Sequence, residues 1–262
     1  MGDQVRYDIE AGIATVRLNR PDAMNSLDWD TKGLLRDHLA AAAADSDVRC
    51  VVLTGTGRAF CVGQDLKEHA TLLAEDAEKV WRTVPEHYNP IALSLLTMPK
   101  PVIAAVNGIA AGAGAAFAFA CDIRLVADTA GFNLAFAAIG LSSDSGSSWT
   151  LPRLVGVAKA KELLLMPSTI SSQQALDFGL ATRVVNGETL PGAARALAEQ
   201  LAAGPTVAYG AIKRAVAFSA SHDLAESLDF EGQMMALTGQ TEDHLGAVRA
   251  FVAKEQPQFR GL

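Results

Sequence analysis

Residues 101–127 constrain the fold most. Residues 101–106 (Pro-Val-Ile-Ala-Ala-Val) are apolar throughout, residues 107–114 are almost all small, residues 115–121 are apolar again, and a second short run follows at 122–127. A strand without a polar face must be covered on both sides. The small residues between the apolar runs permit a sharp turn into a helix. Two successive strand and helix units of this kind predict stacked α/β layers.

The flanking sequence extends that reading. Val5, Tyr7 and Ile9 alternate with polar residues, Ala11-Gly12 supplies a turn, and Ala14, Val16 and Leu18 alternate again, which predicts a hairpin. Asn19-Arg20-Pro21-Asp22 breaks the strand, a helix is expected over 27–44, and a buried strand over 48–53 stops at Thr54-Gly55-Thr56-Gly57. Residues 68–96 are polar and charged with scattered aromatics, so they are expected to lie as mobile helical segments over another surface instead of forming core. From Val157 the pattern turns helical: Ser171-Ser172-Gln173-Gln174 opens a short helix that Gly179 ends, and Pro205 precedes a helix running to about Ala220. Further helices are expected over 223–237 and 241–254, the last capped by Thr241. A boundary within 187–204 divides residues 1–195 from residues 196–262, and no repeat of fixed period is present.

A chain of 262 residues that is 50% hydrophobic has enough apolar surface for a large core, which argues against disorder. Its apolar stretches are too short to cross a bilayer, and its N-terminus has no apolar signal core, so a soluble cytoplasmic protein is expected. The net charge of -7 opposes nucleic acid as the main ligand; a phosphate-bearing ligand would need a few local Lys or Arg. Cys50, Cys61 and Cys121 make an odd count with apolar neighbours, as expected of reduced core thiols. His38, His69, His222 and His244 lack zinc-site spacing, so no metal is expected.

Two glycine-containing turns follow buried strands, residues 59–66 and 108–114. Glycine lets a ligand approach the backbone, and a helix start aims unpaired N–H groups at it. One N–H from each turn would make two donors for a single oxygen, an arrangement that stabilises the enolate of a thioester. Close packing of strand on helix explains the second turn equally well.

Several stretches, taken in order, resemble the crotonase (enoyl-CoA hydratase/isomerase) superfamily. They are Leu18-Asn19-Arg20-Pro21 with Asn25-Ser26-Leu27, Ala59-Phe60-Cys61-Val62-Gly63-Gln64-Asp65-Leu66, and Pro101-Val102-Ile103-Ala104-Ala105-Val106-Asn107-Gly108 with Cys121-Asp122-Ile123. Leu151-Pro152-Arg153-Leu154-Val155-Gly156 and the tail from Phe251 to Phe259 complete a match over nearly the whole chain. The resemblance implies an α/β fold, a ββα spiral with a C-terminal helical trimerisation region, assembled as a trimer or a hexamer of paired trimers. It implies an acyl-CoA thioester as substrate, coenzyme A entering as part of that substrate and no separate cofactor. By position it makes the N–H groups of Val62 and Ala113 the oxyanion donors. It places Ala23, Met24, Phe60, Gln64, Asp65 and Leu66 at the coenzyme A, with Lys254 reaching its phosphates, although a solvated lysine at a helix end is an equal reading of Lys254.

Hydratases of the superfamily use two glutamates, whose places here fall on Ala116 and Phe136, which counts against simple water addition and leaves an enoyl-CoA hydratase as the alternative on the same fold. Leu141-Ser142-Ser143-Asp144-Ser145-Gly146-Ser147-Ser148-Trp149, with Tyr88-Asn89-Pro90, is similar to the ring-epoxide isomerase branch of phenylacetyl-CoA breakdown, which implies Asp144 as the acid and base. His87, Tyr88, Phe136, Leu141 and Trp149 are expected to line the acyl pocket, and burial among apolar residues to raise the Asp144 pKa. Without the resemblance, an aspartate among serines and a glycine reads as a turn cap. The related aryl-CoA dehalogenases use an aspartate at the same place, with a helper histidine for which His87 is the candidate. Two rivals come from other classes. A non-catalytic acyl-CoA binder is one; a short-chain NAD(P)-dependent dehydrogenase, suggested by Gly108-x-x-x-Gly112-x-Gly114 and Tyr209-x-x-x-Lys213, is the other.

Overall fold

A computed structural model describes residues 3–262. The hairpin pairs β1 (Val5–Glu10) with β2 (Ile13–Leu18), and its two turn residues, Ala11 and Gly12, have φ of 51° and 74° as a two-residue hairpin requires. α1 (Trp29–Ala44) is capped by the Asp28 carboxylate, which accepts from the Thr31 N–H. Then the chain repeats a unit. β3 (Cys50–Gly55) is followed by β4 (Ala59–Cys61), β5 (Val102–Val106) by β6 (Ile109–Ala111), and β7 (Ile123–Ala127) by β8 (Gly131–Asn133).

The first strand of each pair joins a large sheet and the second a small one. The large sheet runs β1, β2, β3, β5, β7 and then β10 (Arg183–Val185); the small sheet runs β4, β6, β8 and then β9 (Ile170–Ser171). Helices return the chain between pairs: α2 (Leu66–Glu75), α3 (Ala77–Thr83) and α4 (Asn89–Thr97) before β5, and α5 (Ala113–Ala120) before β7. This is the expected ββα spiral, and parallel pairing of β2, β3, β5 and β7 stacks its turns. All eight residues of α5 are buried, packed between α4 and α6 (Ser147–Leu165). An all-apolar helix has only a fully enclosed place to go.

Three expectations need correction. Residues 68–96 are not merely a cover, because His87 and Tyr88 in a π-helical turn (Val84–Tyr88) and Ile91, Ala92 and Leu95 of α4 are buried. α6 starts ten residues before Val157 and is broken at Gly156, whose φ of 77° and ψ of 159° are not helical. The expected division at 195/196 falls inside α8 (Leu190–Ala202), which buries Leu190, Ala194, Ala198 and Ala202 and packs against β3, β5 and β7.

Downstream of β9, α7 (Ser172–Asp177) is the short helix expected to open at residues 171–174, and Ser171 and Gln174 form a capping box at its start. The chain closes with α9 (Thr206–Ser219), α10 (Leu224–Gly239) and α11 (Glu242–Ala253). These helices leave Ile212, Val216, Leu224, Met235 and Phe251 exposed. Among the described residues no helix is long and apolar enough to cross a membrane, and no cluster of metal-binding side chains occurs. Cys50, Cys61 and Cys121 are buried free thiols, each pushed up to about 12 by burial.

Candidate active site

The site begins where the second strand of two spiral units ends. β4 runs into Val62-Gly63, with φ of 80° at Gly63; β6 runs into Gly112, with φ of 51°, and Ala113 opens α5. Positive φ at both places suits glycine and strains other residues. The two turns press together, for a Cβ on Gly63 would sit 2.9 Å from the Ala111 carbonyl oxygen and 3.2 Å from the Ala113 nitrogen. One residue further on, a Cβ on Gly114 would overlap the Cys61 carbonyl oxygen. As the first residue of α5, Ala113 has no intrahelical acceptor for its N–H.

Val62 and Ala113 line one cavity of about 120 Å³ together with Gln64, Leu66, Tyr88, Phe136, Leu141 and Asp144. Apolar and small side chains form most of its wall, so the Asp144 carboxyl is held above its ordinary range, chiefly by burial and against a hydrogen bond from Ser145. The Ser145 hydroxyl donates to Asp144 Oδ1 at 2.8 Å. Ala116 is buried inside α5 and Phe136 is in the wall, and neither side chain can transfer a proton.

Tyr88 donates its hydroxyl to Gln64 Oε1 at 2.5 Å, and the same oxygen accepts from Lys32 Nζ at 3.2 Å. Lys32 is 1% exposed, and its ammonium lies 3.5 Å from Glu68 Oε1. Burial lowers the Lys32 pKa, with Glu68 pulling the other way. The Tyr88 proton is held firmly, through burial first and the nearby Asp144 second. Sequence reasoning missed Lys32. Its signal was a lysine in helical phase with Leu35, Leu39 and Ala42, the buried stripe of α1.

Of the expected coenzyme A residues, Gln64 and Leu66 line the cavity, and the segment that follows Ala23 and Met24 is hydrogen-bonded to residues 59 and 63–65. Ala23 and Met24 end a short 3-10 turn (Pro21–Ala23), and Met24 has φ of 52°. Asn25, also missed, is fully buried; its amide donates to the carbonyls of Thr56 and Ala59 and tethers this turn to the β3–β4 connection. The Leu27 N–H donates to the Gly63 carbonyl, and the Asp65 N–H to the Leu27 carbonyl, which ties the segment after Met24 to residues 63–65. Asp65 caps α2 and pairs with Arg20 at 3.1 Å, a holding role for its own carboxylate. Phe60 is 0% exposed and offers only main chain.

Three assignments change. Trp149 is 44% exposed and stacks under Arg153; it lines a separate groove with Leu93 and Leu96, not the Asp144 cavity. His87 is buried edge-on against Trp29 and does not line the cavity; burial, Lys32 and Arg36 lower its pKa and keep it neutral. Lys254 ends α11, and the tail beyond it docks on Arg49 at the start of β3, the end remote from the glycine turns. Within its own chain Lys254 does not reach the cavity. The dehydrogenase-like pair is likewise no site, because Lys213 is ion-paired with Asp122 at 2.7 Å and Gly108 packs against Arg58.

Spiral, glycine turns and cavity together define a class, and sequence comparison agrees: residues 8–261 match the model of the enoyl-CoA hydratase/isomerase family. The chain belongs to that family and is an acyl-CoA enzyme of the crotonase superfamily. It is 41% identical over 97% of both chains to the 1,2-epoxyphenylacetyl-CoA isomerase of Escherichia coli. It is 39% identical to a probable enoyl-CoA hydratase of Rhodobacter capsulatus, over 98% of both chains. A putative enoyl-CoA hydratase/isomerase from Mycobacterium abscessus superposes with a TM-score of 0.95 at 40% identity, covering 98% of this chain and all of that one.

Proposed function

We propose that the protein isomerises an unsaturated, aryl or ring-epoxide acyl-CoA thioester, with Asp144 as the single acid and base. The observation that carries this reading is that, among the described residues, Asp144 is the one carboxylate in the wall of a largely apolar cavity shared with Val62 and Ala113. Activating and positioning water, as the superfamily's hydratases do with two glutamates, asks for a second carboxylate. Moving a proton from one carbon to another needs only one. In the proposed reaction the Val62 and Ala113 N–H groups hold the thioester oxygen while negative charge builds on it. Asp144 takes a proton from the acyl chain and returns it at another carbon, or helps an epoxidised ring open and shift its double bond.

Ala23, Met24, Gln64 and Leu66 would hold the coenzyme A portion at the cavity edge, and no separate cofactor is required. Lys254 would reach the phosphates only across an assembly. The exposed apolar residues of α9 to α11 suit the trimer or paired trimers that the superfamily leads one to expect. The likeness to the E. coli isomerase supports a phenylacetyl-derived acyl group.

A mass-spectrometric screen of unsaturated, aryl and epoxide CoA thioesters tests the reading. Rearranged product of unchanged mass supports it. A gain of one water would make the enzyme a hydratase, loss of halide a dehalogenase, and tight binding without turnover a binder.

A further inference from the structure

The turn that carries Asp144 holds a residue in an unfavourable place. The Ser147 N–H donates to the Asp144 carbonyl oxygen at 2.9 Å, and the two residues between them have φ of 54° at Ser145 and 79° at Gly146. Positive φ at both central positions makes this a type I′ turn, for which Asn, Asp and Gly are the favoured residues. Gly146 meets the demand without strain, whereas Ser145 carries a Cβ into the left-handed region. Ser145 is also 1% exposed, so its hydroxyl had to leave water. That hydroxyl has one partner of consequence, Oδ1 of Asp144 at 2.8 Å. A glycine there would remove both the strain and the desolvation, and would also remove the hydrogen bond.

We propose that Ser145 is a positioning residue for Asp144: its hydroxyl ties down Oδ1, leaves Oδ2 as the oxygen that exchanges protons with substrate, and stabilises the ionised carboxylate inside an apolar cavity. The inference rests on the reading of Asp144 as the base. A carboxylate that must both take and return a proton works best with one oxygen fixed, since free rotation would scatter the approach to two carbons. The donor also favours the charged form, which burial alone would suppress. Little else is available to do this. Of the residues in the cavity wall, Tyr88 on the π-helical turn is the other ionisable one, and its own proton is committed to Gln64. On the α2 side Gln64 and Leu66 are uncharged, as are Phe136, Ile139 and Leu141 after β8, while Lys32 and Glu68 stand behind Gln64.

Ser145→Gly is the decisive variant because it fits the backbone better than the parent and should fold at least as well. Ser145→Ala removes the hydroxyl and keeps the Cβ. The Asp144 carboxylate is followed by 13C NMR titration, its resonance assigned by loss in Asp144→Asn, and the same proteins are assayed for deuterium entry at the α-carbon of phenylacetyl-CoA in heavy water. In both serine variants the titration midpoint and the acidic limb of the exchange rate should move to higher pH. The exchange rate at its plateau should fall roughly tenfold, with KM changed little. An unmoved midpoint in Ser145→Gly overturns the proposal. Undiminished exchange in Asp144→Asn instead overturns the reading of Asp144 as base, whatever the serine variants do.

Discussion

On the Val62 and Ala113 side of the cavity the chain offers main chain, and close approach leaves no room for a side chain at Gly63 or Gly114. On the Asp144 side a single carboxylate stands among Tyr88, Phe136 and Leu141, held by a hydroxyl from its own turn. The first wall is specified by where backbone atoms lie, so residue identity matters only through steric room. The second is specified by one functional group and its immediate donor. The two walls should therefore fail differently under substitution: the first by losing geometry, the second by losing chemistry.

The largest effect expected is on the chemical wall. Asp144→Asn should lower turnover by roughly 10²–10⁴-fold, measured on whichever thioester the screen identifies, while affinity for the thioester changes only a few fold. Its stability should not fall. The Asp144 carboxyl is held above its ordinary range, so this group's stabilising contribution is complete below the ordinary carboxylate range and is lost as pH rises through the raised value. At neutral pH the amide variant should then melt no lower than the parent by calorimetry.

Next comes the geometric wall. Gly114→Ala drives a Cβ into the Cys61 carbonyl and should cost about 1–3 kcal/mol of stability, read by urea denaturation, with turnover lost as well because Ala113 shifts. A variant as stable and as active as its parent would mean that the two turns are not locked together. The pH dependence follows in size. Turnover that uses the ionised carboxylate should rise with pH through the raised Asp144 pKa, and a rate profile flat down to the ordinary carboxylate range would separate Asp144 from the rate-limiting step. Smaller still, Val62→Ala should change turnover by no more than about threefold, since its contribution is main chain. Trp149→Ala, away from the cavity, should leave turnover unchanged.

The same contrast explains what could be read from residues alone. The hairpin, the buried strands and the glycine turns are local patterns, and each appears in the structure within a few residues of its expected place. Asp144, among serines and a glycine, reads locally as a turn cap, and only the family resemblance proposes it as acid and base. The errors come from winding. His87 and Trp149 are close in sequence to Tyr88 and Asp144, but adjacent residues of a helical turn point in different directions, and Trp149 lies in α6, beyond the left-handed Ser145-Gly146 turn that follows Asp144. Tyr88 therefore enters the cavity while His87 packs on Trp29, and Trp149 turns toward α4. Lys32 and Asn25 were missed for another reason, because the partners that hold them in place, Gln64 and Glu68 for the first and Thr56 and Ala59 for the second, lie 31 to 36 residues away in sequence and only folding brings them together.

Cys61 sits directly beneath the place where the two glycine turns meet, its carbonyl against Gly114 and its thiol enclosed, while Cys50 lies in the central sheet. A native molecule with no reachable thiol should resist alkylating reagents, and each sulfur becomes a clock for the loosening of its own neighbourhood. If Cys61 is labelled faster than Cys50, the paired glycine turns breathe without the sheet; equal rates would mean that the two turns can be disturbed only by unfolding the whole chain.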